Sequence, residues 1–286
     1  MGFKKIGFIG LGAMGLPMAK NLVKKGFELH VTAHRNRQPV EELKSAGAVE
    51  HSSIKEVAAH CEVLLSILPT DKEMESVLLS EDVLETLSSD AILLEMTSGS
   101  PAMMKKVNEA FQSKRIKVLD GPVSGGTIGA EQGTLTVMAG GEDNVLEQVR
   151  PILDAMSKNI YLVGPIGAGK AIKAVNQMMA AMHMVVTAEA TALAEKLEID
   201  KDMLKQVIGS SSGASWMFMN KLDSLSNRDF APGFKLSLMR KDVEIAVAEG
   251  ADLQLAFAEA ALDLYKETEK EYGESDFSVI GKSILS

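Results

Sequence analysis

The stretch "GFIGLGAMG", Gly7 to Gly15, places Gly10, Gly12 and Gly15 directly behind an apolar run. Glycine loses more conformational freedom on folding than any other residue, so such a cluster needs a physical reason. The Gly-x-Gly-x-x-Gly spacing supplies one when a strand precedes it and a helix follows. The first glycine permits a tight turn, the second lets the backbone approach a pyrophosphate, and the third lets helix and strand pack closely. The N-terminus of the helix then offers N–H groups and a partial positive charge to phosphate. A plain strand-to-helix turn without a ligand is the alternative, and the strand–helix alternation that follows weighs against it. A second determinant is expected about 20 residues beyond the glycines, where sites that select NAD carry an acid. Here the sequence reads "VTAHRNRQ", and Ala33, His34, Arg35 and Asn36 leave no acid in place. Arg35 and Arg37 can meet a 2′-phosphate, so the segment points to NADP, with NAD still possible. The alternative is that these arginines are solvated loop charges. His34 fits a loop or adenine-packing role better than a catalytic one.

The elements that would position these residues are legible in the hydrophobic pattern. "KKIGFIG" predicts a strand and Met14 to Lys25 a helix. "ELHVTA" predicts a strand and Pro39 to Ala46 a helix. "EVLLSIL" and "AILLEM" predict two strands separated by a helix over Asp71 to Leu79. "IKVLD" and "TLTVMAG" follow, then a helix from Asp143 to Met156 and the strand "NIYLVG". Strands alternating with helices imply βαβ units and a mainly parallel sheet covered on both faces. Beyond the glycine-rich break "GPIGAGK" the pattern becomes helical. Ala168 to Lys196 is the longest predicted helix, apolar around most of its circumference and expected to be buried on several sides. Further helices are expected at Lys201 to Gly209, Phe234 to Glu249 and Leu253 to Tyr272. The division falls near Gly164, into an α/β domain over 1–164 and an all-helical domain over 165–286.

Composition narrows the partners. The chain has 286 residues and a formal net charge of −9. Such an acidic balance disfavours nucleic acid. The single cysteine, Cys61, excludes an intramolecular disulfide, fits a cytoplasmic setting, and abuts an apolar run where a buried, inert thiol is expected. The apolar region from Met178 to Ala194 is interrupted by His183, Thr187, Glu189 and Thr191, which argues for a buried helix rather than a membrane span. His30, His51, His60 and His183 show no metal spacing, and no metal is expected. The 17 methionines read as core filler.

Taken together, the motifs resemble those of the β-hydroxyacid dehydrogenases. "GFIGLGAMGLPMAKNLVKKG" is similar to that family's signature. "EMTSGSP" resembles its D-x-S-T segment, "DGPVSGG" (Asp120 to Gly126) its substrate-binding loop, "GAGKAIKAVNQ" (Gly167 to Gln177) its catalytic helix, and "LMRKDVEIA" its late Lys-Asp motif. The resemblance implies a Rossmann domain, doubly wound around a mainly parallel sheet, joined through a long helix to an all-α domain. It implies that Lys173 is catalytic and that Ser124, Gly125 and Gly126 bind a substrate carboxylate, with Asn176 and Gln177 anchoring the substrate further. Gly10, Leu11, Gly12, Ala13, Met14, Gly15, His34, Arg35, Leu68, Pro69, Thr97 or Ser98, and Lys241 would contact the cofactor. Two departures stand out. Gln177 occupies a position where some members carry Asn, and Glu95 with Thr97-Ser98 replaces the Asp and the Ser-Thr pair.

Hydride transfer to or from a hydroxyl-bearing carbon needs a cofactor, a held carboxylate and one group that moves the hydroxyl proton. Lys173 suits the last task, and Gln177, four residues on, shares its helical face. Lys173 stands amid Ala171, Ile172, Ala174 and Val175, unusual company for a solvated charge. A free lysine has a pKa of roughly 10.4 and is protonated near neutral pH. That state suits carbonyl reduction, so reduction of a short semialdehyde or 2-oxo acid is the expected direction. Two alternatives share the scaffold, an imine reductase and a non-catalytic nucleotide-binding protein. Both usually lack the lysine present here at position 173. Trp216, Phe234 and Lys235 lie in stretches that could border a pocket or simply pack. A homodimer or homotetramer is expected from the family and from the long apolar helix.

Overall fold

A computed structural model describes residues 2–285, and the chain divides into two compact units whose boundary falls between Lys173 and Ala174. In chain order the first unit contains β1 (Lys5–Ile9), α1 (Gly15–Lys24), β2 (Glu28–Thr32), α2 (Gln38–Ser45), β3 (Val49–His51), α3 (Ile54–Ala59), β4 (Val63–Ser66), α4 (Asp71–Leu78), α5 (Glu81–Leu84), β5 (Ile92–Glu95), α6 (Pro101–Ser113), β6 (Lys117–Asp120), β7 (Val123–Ser124), α7 (Gly126–Gln132), β8 (Leu135–Gly140), α8 (Asp143–Leu153) and β9 (Ser157–Gly164). The helix α9 (Ala168–Lys196) begins in this unit and continues into the second. The strand order is β3-β2-β1-β4-β5-β6-β8-β7, with β9 beside β8. The strands from β3 to β6 pair in parallel, while β8 runs antiparallel to both β6 and β7. This is a doubly wound Rossmann sheet whose chain order reverses between β1 and β4.

The continuous apolar runs of the central strands follow from burial on both faces. Ile6 and Phe8 of β1, Val63 and Leu65 of β4, and Ile92 and Leu94 of β5 enter one cluster with Met18 and Leu22 of α1. Ile9, Leu64 and Leu93 point the other way, into a cluster with Val57, Met74, Val107 and Phe111. Gly7 faces this second cluster, and a Cβ there would lie 2.9 Å from both Cys61 Sγ and Val57 Cγ1, which is why the position is glycine. Cys61 is buried, and burial pushes its thiol up to about 12, so it is inert as a nucleophile near neutrality.

The second unit is helical, and its described residues contain no strand. After α9 it comprises α10 (Lys201–Gly209), α11 (Trp216–Asn227), α12 (Leu236–Glu249), α13 (Ala256–Tyr272) and a 3-10 helix (Phe277–Ser283). Its core gathers Ala181, Met184 and Ala188 of α9, Leu225, Leu236, Met239, Val243, Leu262, Tyr265 and Ile280. The buried carboxylate of Asp276 ties the unit's end to its middle. It accepts N–H groups from Gly233 and Phe234 and pairs with Lys221 at 2.8 Å. No helix among the described residues is long and apolar enough to cross a membrane.

Several elements had no place in the pattern reading. The α6 helix starts on Ser100, whose hydroxyl accepts from Met103 N–H, with Pro101 in its first turn, a start signal that "GSPAM" carries openly. The α11 helix is capped in the same way by Ser215. The strand β3 and the helices α3, α5 and α7 are too short to generate a clear period. The long helix also differs in degree from the expectation of burial on several sides. One face of α9 packs on the core, yet Val175, Met179, Val186 and Leu193 are between 48% and 60% exposed in the single chain. Trp216 is also exposed.

Three imidazoles stack at the β2–β3 side of the sheet. The ring centroids of His30, His51 and His60 form a triangle with sides of 5.1, 4.7 and 6.0 Å, and His30 Nδ1 is 2.9 Å from His51 Nε2. Burial, then the neighbouring His51, lowers the pKa of His30. Burial, then His60, lowers that of His51. Glu28 on His30 and Glu56 on His51 act in the opposite direction without reversing either shift. A base whose folded pKa is depressed stays neutral in the native state while the unfolded chain takes up protons. Its contribution is therefore intact above the unfolded pKa of about 6.5 and is lost as pH falls below it. Urea midpoints measured from pH 7.5 to 5 should decline, and His30→Gln should flatten that decline. Equal slopes for the two proteins would remove the cluster as the cause.

Candidate active site

The carboxyl ends of parallel strands β1, β2, β4, β5 and β6 lead into Gly10–Gly15, His34–Arg35, Leu68–Pro69, Thr97–Ser98 and the Ser124–Gly126 stretch, while Lys173, Asn176 and Gln177 lie on α9 and Lys241 on α12. In open α/β sheets this edge, at the point of chain reversal, is where ligands bind. Gly10 follows β1 with φ 100°, and a Cβ on it would meet the Ile67 carbonyl oxygen at 2.0 Å. A Cβ on Gly15 would lie 1.8 Å from the Gly10 carbonyl oxygen. These two glycines are therefore required by the protein itself. Gly12 differs, since a Cβ there would find no protein atom within 4 Å. The loop between Leu11 and Met14 opens onto space at Gly12, and the first turn of α1 holds no acid and no side-chain cap. That is the cradle a pyrophosphate needs, so the residues present fit a dinucleotide.

After β2, His34 and Arg35 are exposed. Arg37 is engaged instead with Glu50, at 2.7 Å. After β4, Leu68 N–H donates to Thr97 Oγ1 at 2.8 Å. Thr97 is fully buried, so of the two neighbouring hydroxyls its own shapes the Leu68–Pro69 loop from within, while Ser98 is half-buried. After β6 the chain passes through Ser124, half-buried in the short strand β7, into Gly125 and Gly126, both exposed. Their φ values of 134° and 63° favour glycine, and no protein atom lies near the Gly126 Cβ position.

Three charged residues meet at this edge, Lys170, Glu95 and Asp120, which the motifs include without assigning them a role. Lys170, in the first turn of α9, is fully buried. Its ammonium group pairs with Glu95, donates to the Thr97 carbonyl at 2.5 Å and lies 3.2 Å from Asp120 Oδ1. Asp120 Oδ2 accepts from the N–H groups of Gly167 at 3.2 Å and Lys170 at 3.1 Å. Burial raises the pKa of Glu95 despite Lys170 beside it. Burial opposes the charge on Lys170, but Glu95 and then Asp120 outweigh it and hold its pKa above the ordinary value. Glu95 and Asp120 are the last residues of β5 and β6, acids closing apolar strands, and that placement is the signal by which they could be found. Lys173 lies three residues after Lys170 on α9 and is only 8% exposed.

The second unit has a polar group of its own. Gln177 is buried and donates from Nε2 to Asp242 Oδ2 at 2.7 Å, while its Oε1 accepts from Asn176 Nδ2 at 3.0 Å. Lys241 Nζ is 2.9 Å from Asp242 Oδ1. Asp242, buried on α12, thus orients both Gln177 and Lys241. Its only sequence mark was its place in the Lys-Asp pair.

Comparison with known proteins agrees with this architecture. Residues 5–164 match the family profile described as the NAD binding domain of 6-phosphogluconate dehydrogenase. Residues 167–284 match the profile described as NAD-binding of NADP-dependent 3-hydroxyisobutyrate dehydrogenase. The chain is 36% identical over 290 residues to the NAD-dependent L-serine dehydrogenase of Pseudomonas aeruginosa, covering 98% of this chain and 97% of that one. It is 36% identical over 253 residues to the 2-hydroxy-3-oxopropionate reductase of Escherichia coli, covering 88% and 86%. Among solved structures, Mycobacterium tuberculosis 3-hydroxyisobutyrate dehydrogenase with L-serine superimposes over 100% of both chains with a TM-score of 0.91 and 30% identity. With an open glycine cradle at the switch point and both halves of the chain matched, this protein belongs to the β-hydroxyacid dehydrogenases, nicotinamide-dependent oxidoreductases that act on CH–OH groups.

Proposed function

We propose that this enzyme prefers NADP(H) and interconverts a small β-hydroxyacid with its semialdehyde, or a short 2-oxo acid with its alcohol, using Lys173 as general acid and base. The observation that carries this reading is the placement of Lys173. It is a buried lysine three residues beyond Lys170, and the turn holding Lys170 is bonded to the carboxyl ends of β5 and β6. The names of the relatives supply the substrate class, since each acts on a short acid bearing a hydroxyl or its oxidised counterpart. In this reading Gly10 to Gly15 hold the pyrophosphate, Leu68, Pro69 and Ser98 line the nicotinamide end, and Ser124 with the Gly125 and Gly126 backbone receives the substrate carboxylate. Asn176 and Gln177 belong to the substrate side, and Lys241 to the cofactor. In this reading the cofactor-binding domain is 1–164 and the helical domain 165–286, although the start of α9, through Lys173, belongs to the first compact unit.

A nicotinamide held by these loops would supply or accept the hydride. The chain's own residues hold the acid, keep water away and move one proton. As an ammonium, Lys173 donates to the oxygen that becomes a hydroxyl. In the opposite direction its neutral amine takes that proton back. Lysine at this position favours this chemistry over the imine reductase alternative.

Three outcomes test the reading. In a panel of glyoxylate and of succinic, tartronate and methylmalonate semialdehydes with NADPH, plus L-serine with NADP, Lys173→Ala should lower kcat by roughly a hundred- to ten-thousand-fold. NADPH affinity, followed by fluorescence, should change little. Unaltered turnover would refute the role of Lys173. Arg35 is an exposed cation after β2, and losing a charge-assisted bond to a 2′-phosphate costs about tenfold or more in affinity. Arg35→Ser should therefore weaken NADPH and leave NADH unaffected, whereas equal losses for both would point to a general structural effect. Finally, Val175, Met179, Val186 and Leu193 form an open apolar stripe on α9, which suits association of subunits. The wild type should sediment as a dimer or tetramer, and the double variant Val186→Glu, Leu193→Glu as a smaller species. A monomeric wild type would rule out this assembly.

A further inference from the structure

We propose that Lys170 is a positioning residue, a buried ammonium that sets Lys173 against the cofactor-lining loops by bonding the first turn of α9 to the ends of β5 and β6. The proposal rests on the catalytic reading of Lys173 and adds a residue that touches neither substrate nor cofactor.

Lys170 makes contacts of two kinds. Through its side chain it reaches the Glu95 carboxylate, the Asp120 carboxylate and the Thr97 carbonyl. Through its backbone N–H it binds the second oxygen of Asp120, which also takes the Gly167 N–H just before the helix. Asp120 thereby caps α9 and accepts the charge of a side chain on the same turn. Glu95 in turn accepts the Thr97 N–H at 3.0 Å, and the Thr97 hydroxyl holds Leu68 N–H. A continuous chain of bonds therefore runs from the Leu68–Pro69 loop through Thr97 to Lys170, three residues before Lys173.

The backbone is built for this seat. A Cβ on Gly169 would lie 2.3 Å from the Met138 carbonyl oxygen, and one on Gly140 would lie 2.8 Å from the Pro165 carbonyl oxygen. The start of α9 and the end of β8 are thus pressed together without side chains between them, which leaves the turn little freedom to tilt. What remains to be set is its rotation and its height along the sheet edge. A lysine held by two acids and a carbonyl fixes both, because the three acceptors lie on the ends of different strands and the loop after β5. An apolar side chain of the same length would fill the space without this directionality, and it would leave two buried carboxylates unpaired.

Steady-state kinetics and NADPH fluorescence titration on the full-length chain separate this role from plain structural support, with turnover read on the best substrate of the panel. Lys170→Met should lower kcat by at least tenfold while changing the NADPH dissociation constant by much less. The double variant Lys170→Met, Lys173→Ala should turn over no more slowly than Lys173→Ala, because a positioning residue has nothing left to position. Independent losses that multiply, or an unchanged kcat in Lys170→Met, would overturn the proposal. If Lys170→Met does not fold, Glu95→Gln tests the same contact. It should give a smaller kcat loss, again absent in the Lys173→Ala background, and an additive loss would count against the role. An active Lys173→Ala protein would instead strike at the catalytic reading itself, so the two failures are distinguishable.

Discussion

An ammonium group enclosed by two carboxylates is the interaction on which the sheet edge depends. Taking each ion out of water costs several kcal/mol, and such a group stays charged only where its neighbours replace what water supplied. Lys170 has two acids and a carbonyl to do so. Removing one partner from a buried pair of this kind typically costs about 3–5 kcal/mol, because the remaining charge is stranded. The cluster is therefore intolerant of partial change, and the elements it joins are held in one arrangement. These are β5, β6, the loop after β5 and the start of α9, within a single compact unit.

Close backbone contact does the same work elsewhere along this edge. Gly15 rests on the Gly10 carbonyl, Gly10 on Ile67, and Gly169 on Met138. At each point a methyl group would collide with an oxygen, so the chain can pass only as glycine. Gly12 and Gly126 stand apart from these, since their Cβ positions face no protein atom. The distinction separates glycines that serve packing from those that leave room.

Charge pairing in the loop after β2 follows from neighbours rather than from residue type. Arg35 and Arg37 read alike in the sequence, yet Glu50 occupies Arg37 from β3, a strand too short to show in the pattern. A similar division appears in the two hydroxyls of "EMTSGSP". Thr97 is turned inward to hold Leu68, and Ser98 is half-buried beside it. Gln177 is likewise shared between Asn176 and Asp242, so its amide is oriented by protein groups on both sides.

Much of this protein was determined by local sequence alone. Continuous apolar runs marked the central strands such as Lys5–Ile9, and helical periodicity marked helices such as Ala168–Lys196 and Lys201–Gly209, because burial of one or both faces dictates where apolar residues fall. The glycine spacing and the shared motifs marked the loop after β1 and the start of α9, because a tight strand-to-helix passage admits only glycine at Gly10 and Gly15. The helices α3, α5 and α7 escaped because four to seven residues carry no readable helical period, and β3 because Val49–His51 holds a single apolar residue. The partnership of Lys170 with Glu95 and Asp120 escaped for a different reason. Its members are 75 and 50 residues apart along the chain, and a lysine amid helix formers gives no sign of whether it faces water or two acids. Only the stacking of β5 beside β6, with the start of α9 bonded to their ends, brings those charges together. That is a matter of tertiary packing, in which desolvation turns three ordinary surface-type residues into one rigid joint.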